Sequence, residues 1–266
     1  MRRIWLWVGL GLLLAICDRW LASCVGSGAC MATLIDPRDW LALTVAAAIL
    51  LAIVSGSAWV GRTLWLVARS AVELRRYPIS PAPDRLRELA QAVGVRRLRF
   101  LPSPSHAAFC AGALRPAVYI SRGVSDRLSD HELAAVLTHE VEHASSFDPI
   151  RRAAWRSAAE VFFFMPFFSW LTMRRIEASE LRADRRAIDK LGPKPVASAL
   201  WSLGSVGLAG AVAAFSGTVE LRTAQLLGDP LPRRAPSGSL IAISLAGLAF
   251  ALAVMACAAQ VVGHLH

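Results

Sequence analysis

The sequence predicts an integral membrane protein that is mainly α-helical, with three or four transmembrane helices and a small α+β domain on the cytoplasmic side. Two observations favour this class. Hydrophobic residues make up 55% of the 266-residue chain and the mean hydropathy is +0.48, which exceeds what a soluble domain of this size normally has. Long runs without any charged residue also occur near both ends of the chain.

Two of these runs are long enough to cross a bilayer. Residues 40–60 and 240–263 contain no charge, and each reaches the roughly 20 residues needed to span about 30 Å of hydrocarbon. Residues 4–17 form a shorter run before a charged pair, which fits a third helix with a snorkelling end or, alternatively, a signal peptide. We expect the helix. Residues 196–217 are also uncharged but rich in small residues, so we expect a packed helix there rather than a fourth span.

Arginines beside the apolar runs predict the orientation of the chain. Arg2 and Arg3 precede the run at residues 4–17. The run at residues 40–60 is followed by Arg62, Arg69, Arg75 and Arg76. Because positively charged short flanks stay in the cytoplasm, we expect both flanks there, at a bacterial inner membrane, with residues 22–39 outside. This outer segment contains Cys24 and Cys30, the pair placed to form an exterior disulfide, with free thiols as the alternative.

The net charge of +10 does not predict nucleic-acid binding. Arginine is spread through loops beside apolar runs, and the chain has neither a basic helix interleaved with aromatic residues nor a nucleic-acid motif. Attraction of the flanks to anionic headgroups, worth about 1 kcal/mol per cation, accounts for the excess. The predicted partner of these charges is therefore the lipid bilayer.

The segment H-E-V-E-H at residues 139–143 is the strongest signal for chemistry. Residues at i and i+4 share one helix face, so His139 and His143 can converge on a tetrahedral Zn²⁺. Glu140 projects beside the metal as a candidate general base. Ser129 and Glu132 have the capping-box spacing, followed by an apolar stripe. The motif is therefore predicted to lie within a helix that ends near residues 148–149, as a zinc peptidase site requires.

A catalytic zinc has a third protein ligand and keeps one position open for water. Glu180 is the best candidate, in a helical segment that ends at residues 192–193. Asp184 falls on the same face one turn later, where a carboxylate can accept the free N–H of a ligating histidine. Glu177, one turn earlier, is the alternative ligand. The predicted cofactor is one Zn²⁺ per chain.

Short strands are predicted before the zinc helix. Residues 84–93 have helical spacing, and residues 99–101 and 117–120 are apolar runs bounded by proline and glycine. An edge strand directly before the zinc helix would hold a substrate backbone by main-chain hydrogen bonds. The candidate substrate-binding residues are Ala117, Val118, Tyr119 and Ile120. A purely structural hairpin is the alternative.

Residues 161–173 carry six aromatic side chains around Pro166 and are too short to cross a bilayer comfortably. A simple crossing would also contradict the metal site, because Glu180 must reach the zinc held by His139 and His143. We therefore expect the chain to dip into the membrane and return, or to lie along its surface.

Taken together, these residues resemble the membrane zinc peptidases of the beta-lactam-sensor and antirepressor (BlaR/MecR-type) family. The resemblance runs from about Phe109 to Asp189 and rests on the glycine-containing segment 112–116, the helix 137–143, Asp148, the aromatic stretch 162–170 and E-x-x-x-D at 180–184. HtpX-type membrane proteases are similar in the same pattern. The resemblance implies a gluzincin-type endopeptidase whose substrate is a cytoplasmic transcriptional repressor or a membrane-associated regulator.

The predicted organisation has three parts: a transmembrane hairpin (1–69), a zinc peptidase domain in the cytoplasm (70–236) with the membrane-dipping segment, and a C-terminal transmembrane helix (237–266). A regulatory endopeptidase with a role in signal transduction is the leading function. The alternatives are an HtpX-like quality-control protease of membrane proteins and a non-hydrolytic zinc-binding scaffold or sensor. Glu140 counts against the scaffold, because a purely structural zinc needs no general base.

Overall fold

The computed structural model describes residues 37–232 and 234–263. The predicted helix at residues 4–17 and the Cys24–Cys30 pair lie outside this part of the chain. The described helices are α1 (Pro37–Leu74), α2 (Asp84–Val93), α3 (Arg122–Arg127), α4 (Asp130–Ser145), α5 (Asp148–Val161), α6 (Pro166–Leu191), α7 (Pro193–Leu227) and α8 (Gly238–Gly263). The strands are β1 (Leu98–Leu101), β2 (Ala108–Ala111) and β3 (Ala117–Ser121).

Two of the described helices have the length and composition of membrane spans. They are Thr44–Leu74 within α1, with a mean hydropathy of 1.9, and Gly238–Ala256 within α8, with 2.3. Large apolar side chains on both helices are exposed, including Ile49 at 56% and Leu245 at 58%, and so much exposed apolar surface calls for lipid or protein to cover it. The prediction of two apolar helices is confirmed, and residues 196–217 are helical within α7, which is not among these candidate spans.

The compact unit Trp59–Ser237 contains a three-stranded sheet in the order β1-β3-β2. β1 pairs parallel with β3, and β2 forms an antiparallel hairpin with it. Gly112 has φ +106° in the hairpin turn, and a Cβ there would lie 2.8 Å from the carbonyl oxygen of Arg115, so the turn requires glycine.

β3 is the central strand of this sheet, and its five residues are all buried. The expectation that residues 117–120 form an edge strand that binds substrate is therefore wrong. Ala117, Val118, Tyr119 and Ile120 pair with β2 on one side, and β1 takes the other side, so no backbone edge is left for a peptide. The edge strand next to the turn is β2, which the sequence did not predict.

The zinc-motif helix α4 packs its apolar stripe on the sheet and on α2. Its core consists of Leu133, Val136 and Leu137 against Val118, Ile120, Leu86 and Ala90. The predicted capping box starts the helix, because Ser129 Oγ accepts from the N–H of Glu132 while the Glu132 carboxylate accepts from the N–H of Ser129 at 2.8 Å. The helix ends at Ser145, and Phe147, with φ 53°, turns the chain into α5.

Helices α5 and α6 form an antiparallel hairpin around the aromatic segment. Thr172 Oγ1 donates to the carbonyl oxygen of Trp155 at 2.8 Å, and residues 162–165 form the connection. At the tip, the rings of Phe162 and Phe168 stack with centroids 4.5 Å apart. The hairpin returns the chain, so α6 reaches α4 as the site geometry demands. Contact of the tip with lipid stays a prediction.

The C-terminal part of α1 is attached to α5. Trp59 Nε1 donates to the carbonyl oxygen of Ala154 at 2.9 Å, and Arg62 Nε lies 2.5 Å from Glu160 Oε2. Because α5 also borders the motif helix, the part of α1 that belongs to the unit Trp59–Ser237 is fixed to an element of the candidate site.

Candidate metal centre

Three side chains from two helices come together with the spacing of metal ligands. His139 and His143 of α4 have their Nε2 atoms 3.1 Å apart. The carboxylate oxygens of Glu180, from α6, lie 3.5 Å from His139 Nε2 and 3.6 Å from His143 Nε2. Two ligands on one tetrahedral zinc are separated by roughly 3.3 Å, given bonds of about 2.0–2.1 Å. The three residues can therefore hold one metal ion.

The alternative ligand Glu177 is not part of this group. Its carboxylate is buried at 7% exposure and forms an ion pair with Arg174 in the same helix. The face of α6 that meets the histidines carries Glu180 and, four residues later, Asp184.

A carboxylate orients each histidine through its second ring nitrogen. His139 Nδ1 lies 2.8 Å from Asp184 Oδ1, and His143 Nδ1 lies 2.7 Å from Asp148 Oδ2. With Nδ1–H donating to a carboxylate, the Nε2 lone pair is free for a cation, and the imidazole becomes a better ligand. Asp184 was predicted in this position. Asp148 appeared in the sequence only as part of a family pattern, without a role.

Each of these carboxylates is in turn bound by an arginine. Asp184 accepts from Arg222 Nε at 2.5 Å and from Nη2 at 2.8 Å, and Asp148 accepts from Arg182 Nη2 at 3.1 Å on both oxygens. Burial raises the pKa of Asp184, but the hydrogen bonds to His139 and Arg222 outweigh it and leave the pKa below its usual value. The pKa of Asp148 is lowered in the same way, against burial, by His143 and Arg182.

The three candidate ligands His139, His143 and Glu180, called the triad below, interact strongly through their charges. Burial raises the pKa of Glu180, but hydrogen bonding and charge from His139, together with the charges of His143 and Arg152, hold it far below its ordinary value. Burial lowers the pKa of His139, yet its hydrogen bonds to Asp184 and Glu180 raise it overall to about 9. The charges of the three candidate ligands and of Arg152 are therefore strongly coupled to one another.

Arg152, on α5, is the cation closest to the triad. Its Nη2 donates to Glu180 Oε1 and to Ser179 Oγ at 3.0 Å. The same atom lies 3.4 Å from His143 Nε2 and 3.5 Å from Nδ1. Because it is almost equally distant from both ring nitrogens, it does not lie along the in-plane lone pair of Nε2. The nitrogen thus stays available to a metal.

Glu140 differs from the other acidic residues around the motif. It is 8% exposed, and its carboxylate has no hydrogen-bond or ion-pair partner within residues 37–232 and 234–263. Glu142, two residues later, is paired with Arg182 at 3.0 Å and with Arg186 at 2.9 Å. The carboxylate of Glu140, beside His139, is therefore not held in an ion pair and can accept and return a proton.

The edge strand β2 runs beside the motif helix. Residues of this strand contact the helix Asp130–Ser145. Burial raises the pKa of Cys110 on this strand to about 12, with further contributions from the charges of Glu140 and Asp148. Tyr119 of β3 lies one strand further away, its ring stacked on Phe109 of β2 at 5.0 Å between centroids.

An H-E-x-x-H helix whose two histidines meet a carboxylate from a second helix is the arrangement of a metallopeptidase site. The chain belongs to the BlaR1 peptidase M56 family, whose model matches residues 35–197. No curated protein matches the chain. Membership confirms the resemblance to BlaR/MecR-type peptidases and makes the chain a metallopeptidase that acts on a protein or peptide. Together with the apolar helices in α1 and α8, it indicates association with a membrane.

Proposed function

We propose that the chain is a membrane-anchored zinc endopeptidase of gluzincin type, with the metal held by His139, His143 and Glu180. The spacing of these three donors carries the proposal. Two imidazoles and one carboxylate are a donor set that suits zinc and leaves one coordination position open, as catalytic zinc sites do. When bound, the ion would polarise the scissile carbonyl and increase the acidity of a water molecule.

Glu140 is proposed as the general base of the hydrolysis. It accepts a proton from water as the water oxygen bonds to the carbonyl carbon of the peptide. The carbon–nitrogen bond then breaks, and Glu140 passes the proton to the departing amine, so the products are a carboxylate and an amine. Burial of Glu140 without an arginine or lysine partner supports this role, since an ion pair would make it a poorer base.

The substrate is proposed to bind as an added strand along β2. The outer edge of Ala108–Ala111 is not paired with another strand of the described sheet, and β2 adjoins the motif helix. Main-chain hydrogen bonds along this edge would hold an extended peptide largely independently of its sequence. This location replaces residues 117–120, whose edges are already paired.

The biological role proposed is regulatory cleavage at the inner membrane, with the peptidase unit in the cytoplasm. The arginines that follow the apolar run at residues 40–60 support this orientation. The tip of the α5–α6 hairpin is proposed to rest in the lipid interface, where exposed apolar side chains such as Phe163, at 56% exposure, would be covered. The substrate would be a transcriptional repressor or a membrane-associated regulator.

The test compares wild type, Glu140→Gln and the control Glu88→Gln in lipid nanodiscs. Glu88 is an exposed residue of α2, far along the chain from the motif. We expect about one zinc per chain in all three proteins, with cleavage of an unstructured reporter by wild type and Glu88→Gln alone. Cleavage by Glu140→Gln at the wild-type rate, or a wild type that holds no zinc, would contradict the proposal. A single preferred cut would favour regulation, and many cuts a quality-control role.

A further inference from the structure

Arg152 has no role in the mechanism so far, although it touches the metal triad. It lies one helical turn after Asp148 on α5, so the same face of this helix provides both the carboxylate for His143 and a guanidinium for Glu180. Its side chain is 31% exposed. The side chain therefore contacts a proposed metal ligand and is partly exposed.

The guanidinium of Arg152 has an unused donor on the edge that faces the triad. Nε is buried and has no hydrogen-bond partner among the described residues. In a guanidinium, Nε–H and one N–H of Nη2 point along the same edge, and Arg222 uses that edge to bind both oxygens of Asp184. In Arg152, the Nη2 end of the edge binds Glu180 and Ser179. The Nε–H therefore belongs to the same guanidinium that binds the ligand carboxylate and lies next to its Nη2 group.

We propose that Arg152 donates through Nε to the negatively charged oxygen that forms on the substrate carbonyl during hydrolysis. The inference rests on the proposed function. A buried donor without a partner is rare in folded proteins, and one that is fixed in advance beside a site of developing charge stabilises the transition state most effectively. Glu180 and Ser179 fix this guanidinium.

The other arginines at the site are already engaged. Arg222 uses Nε and Nη2 on Asp184, and Arg182 is shared between Asp148 and Glu142. Arg152 alone combines a bond to the triad with a free, buried donor among the residues that the structure describes. Its charge lies within 3.5 Å of both nitrogens of His143, so it is close to the place where the carbonyl must react.

The experiment compares Arg152→Met, Arg152→Lys and the control Arg151→Met. Arg151 is the exposed neighbour on α5 and donates to the carbonyl oxygen of Ser146. Zinc per chain and the kcat and KM on the reporter are measured for each protein. The fourth quantity is the affinity for a phosphinic peptide, which has phenylalanine before and leucine after the tetrahedral phosphorus. The affinity for the intact peptide of the same sequence is measured by calorimetry in the Glu140→Gln background.

We expect Arg152→Met to keep its zinc and to lose about 100-fold in kcat, the usual effect of removing one such donor. The phosphinic peptide, which mimics the charged tetrahedral state, should bind about 100-fold more weakly, while the intact peptide should change by less than about threefold. Arg152→Lys retains the charge without the paired edge and should recover about tenfold of the loss. Arg151→Met should match wild type.

Two results would overturn the assignment of Arg152. In one, Arg152→Met retains zinc, kcat and affinity for the phosphinic peptide. In the other, it loses zinc and activity in proportion, which would make Arg152 only a support for Glu180. A zinc-loaded wild type that neither cleaves the reporter nor binds the phosphinic peptide would instead overturn the proposed function, and this inference with it.

Discussion

Replacement of Asp148 by asparagine tests how far the charge of one carboxylate controls metal affinity. The carboxylate is 3% exposed and lies 2.7 Å from His143 Nδ1. Asparagine preserves the shape and can still accept from Nδ1–H, but it removes the charge that strengthens the imidazole as a ligand. Arg182 does not become an unpaired buried charge, because its side chain is 41% exposed and keeps Glu142 at 3.0 Å.

The expected loss of zinc affinity in Asp148→Asn can be given as a free energy. Removal of a carboxylate behind a metal-bound histidine weakens metal binding about 10- to 100-fold, which corresponds to about 1.4–2.7 kcal/mol. The metal-free protein should lose only about 1 kcal/mol, the usual net value of one hydrogen bond. Most of the effect of Asp148→Asn should therefore appear in the part of the stability that depends on zinc.

The assay is competition with a fluorescent zinc chelator, together with thermal unfolding in zinc and in EDTA. Asp189→Asn, an exposed change on α6, is the control and should match wild type in both measurements. If Asp148→Asn bound zinc within about twofold of wild type, well below the expected change, the charge of Asp148 would have no part in strengthening His143 as a ligand, and the assignment of His143 would lose one of its supports.

Four further predictions concern the surroundings of the site. Arg222→Met leaves Asp184 buried without its cation, so unfolding by urea should show a loss of about 3 kcal/mol or more. Ser129→Ala should cost about 1 kcal/mol through the lost cap. The pKa of Glu132 is lowered by its hydrogen bonds to Ser198 and Ser129. The charged Glu132 therefore stabilises the fold fully above its ordinary pKa of 4.5, and this stabilisation is lost as the pH falls below 4.5. The melting temperature of Glu132→Gln should lie below that of wild type at neutral pH and approach it at low pH. Cys110, whose pKa is raised to about 12, should react with iodoacetamide at pH 8 on the order of 100-fold more slowly than a free thiol, as followed by mass spectrometry of its peptide.

The motif helix could be predicted from the sequence because its signals are local. Ser129 and Glu132 are three residues apart and mark the start of α4, and the i, i+4 spacing of His139 and His143 places both on one face. The E-x-x-x-D pattern likewise placed Glu180 and Asp184 one turn apart. Such spacings follow from the period of one helix, so they hold whatever the tertiary contacts are.

The strand order could not be predicted from the sequence. Residues 108–111 are a four-residue stretch without β-branched residues or alternation, so β2 gave no strand signal. Without β2, the pattern predicts an edge strand at residues 117–120. Pairing depends on contacts across the hairpin turn and with β1, which lies about twenty residues earlier, and hydropathy does not record these contacts.

The arginines around the site could not be predicted either. Arg222 meets Asp184 across 38 positions of sequence, and Arg152 meets Glu180 across 28. In a chain with 29 basic residues, no local pattern distinguishes these two from the arginines that flank the apolar runs. Only the packing of α5, α6 and α7 around the triad brings them to the carboxylates.

The central claim is that His139, His143 and Glu180 hold the metal. The most direct test is zinc bound per chain, after zinc loading and dialysis, in Glu180→Ala and Glu177→Ala beside wild type. The account predicts about one zinc in wild type and Glu177→Ala and far less than one in Glu180→Ala, because two histidines alone do not make a tight site. Full occupancy in Glu180→Ala, or loss of zinc in Glu177→Ala alone, would contradict it and move the third ligand elsewhere on α6.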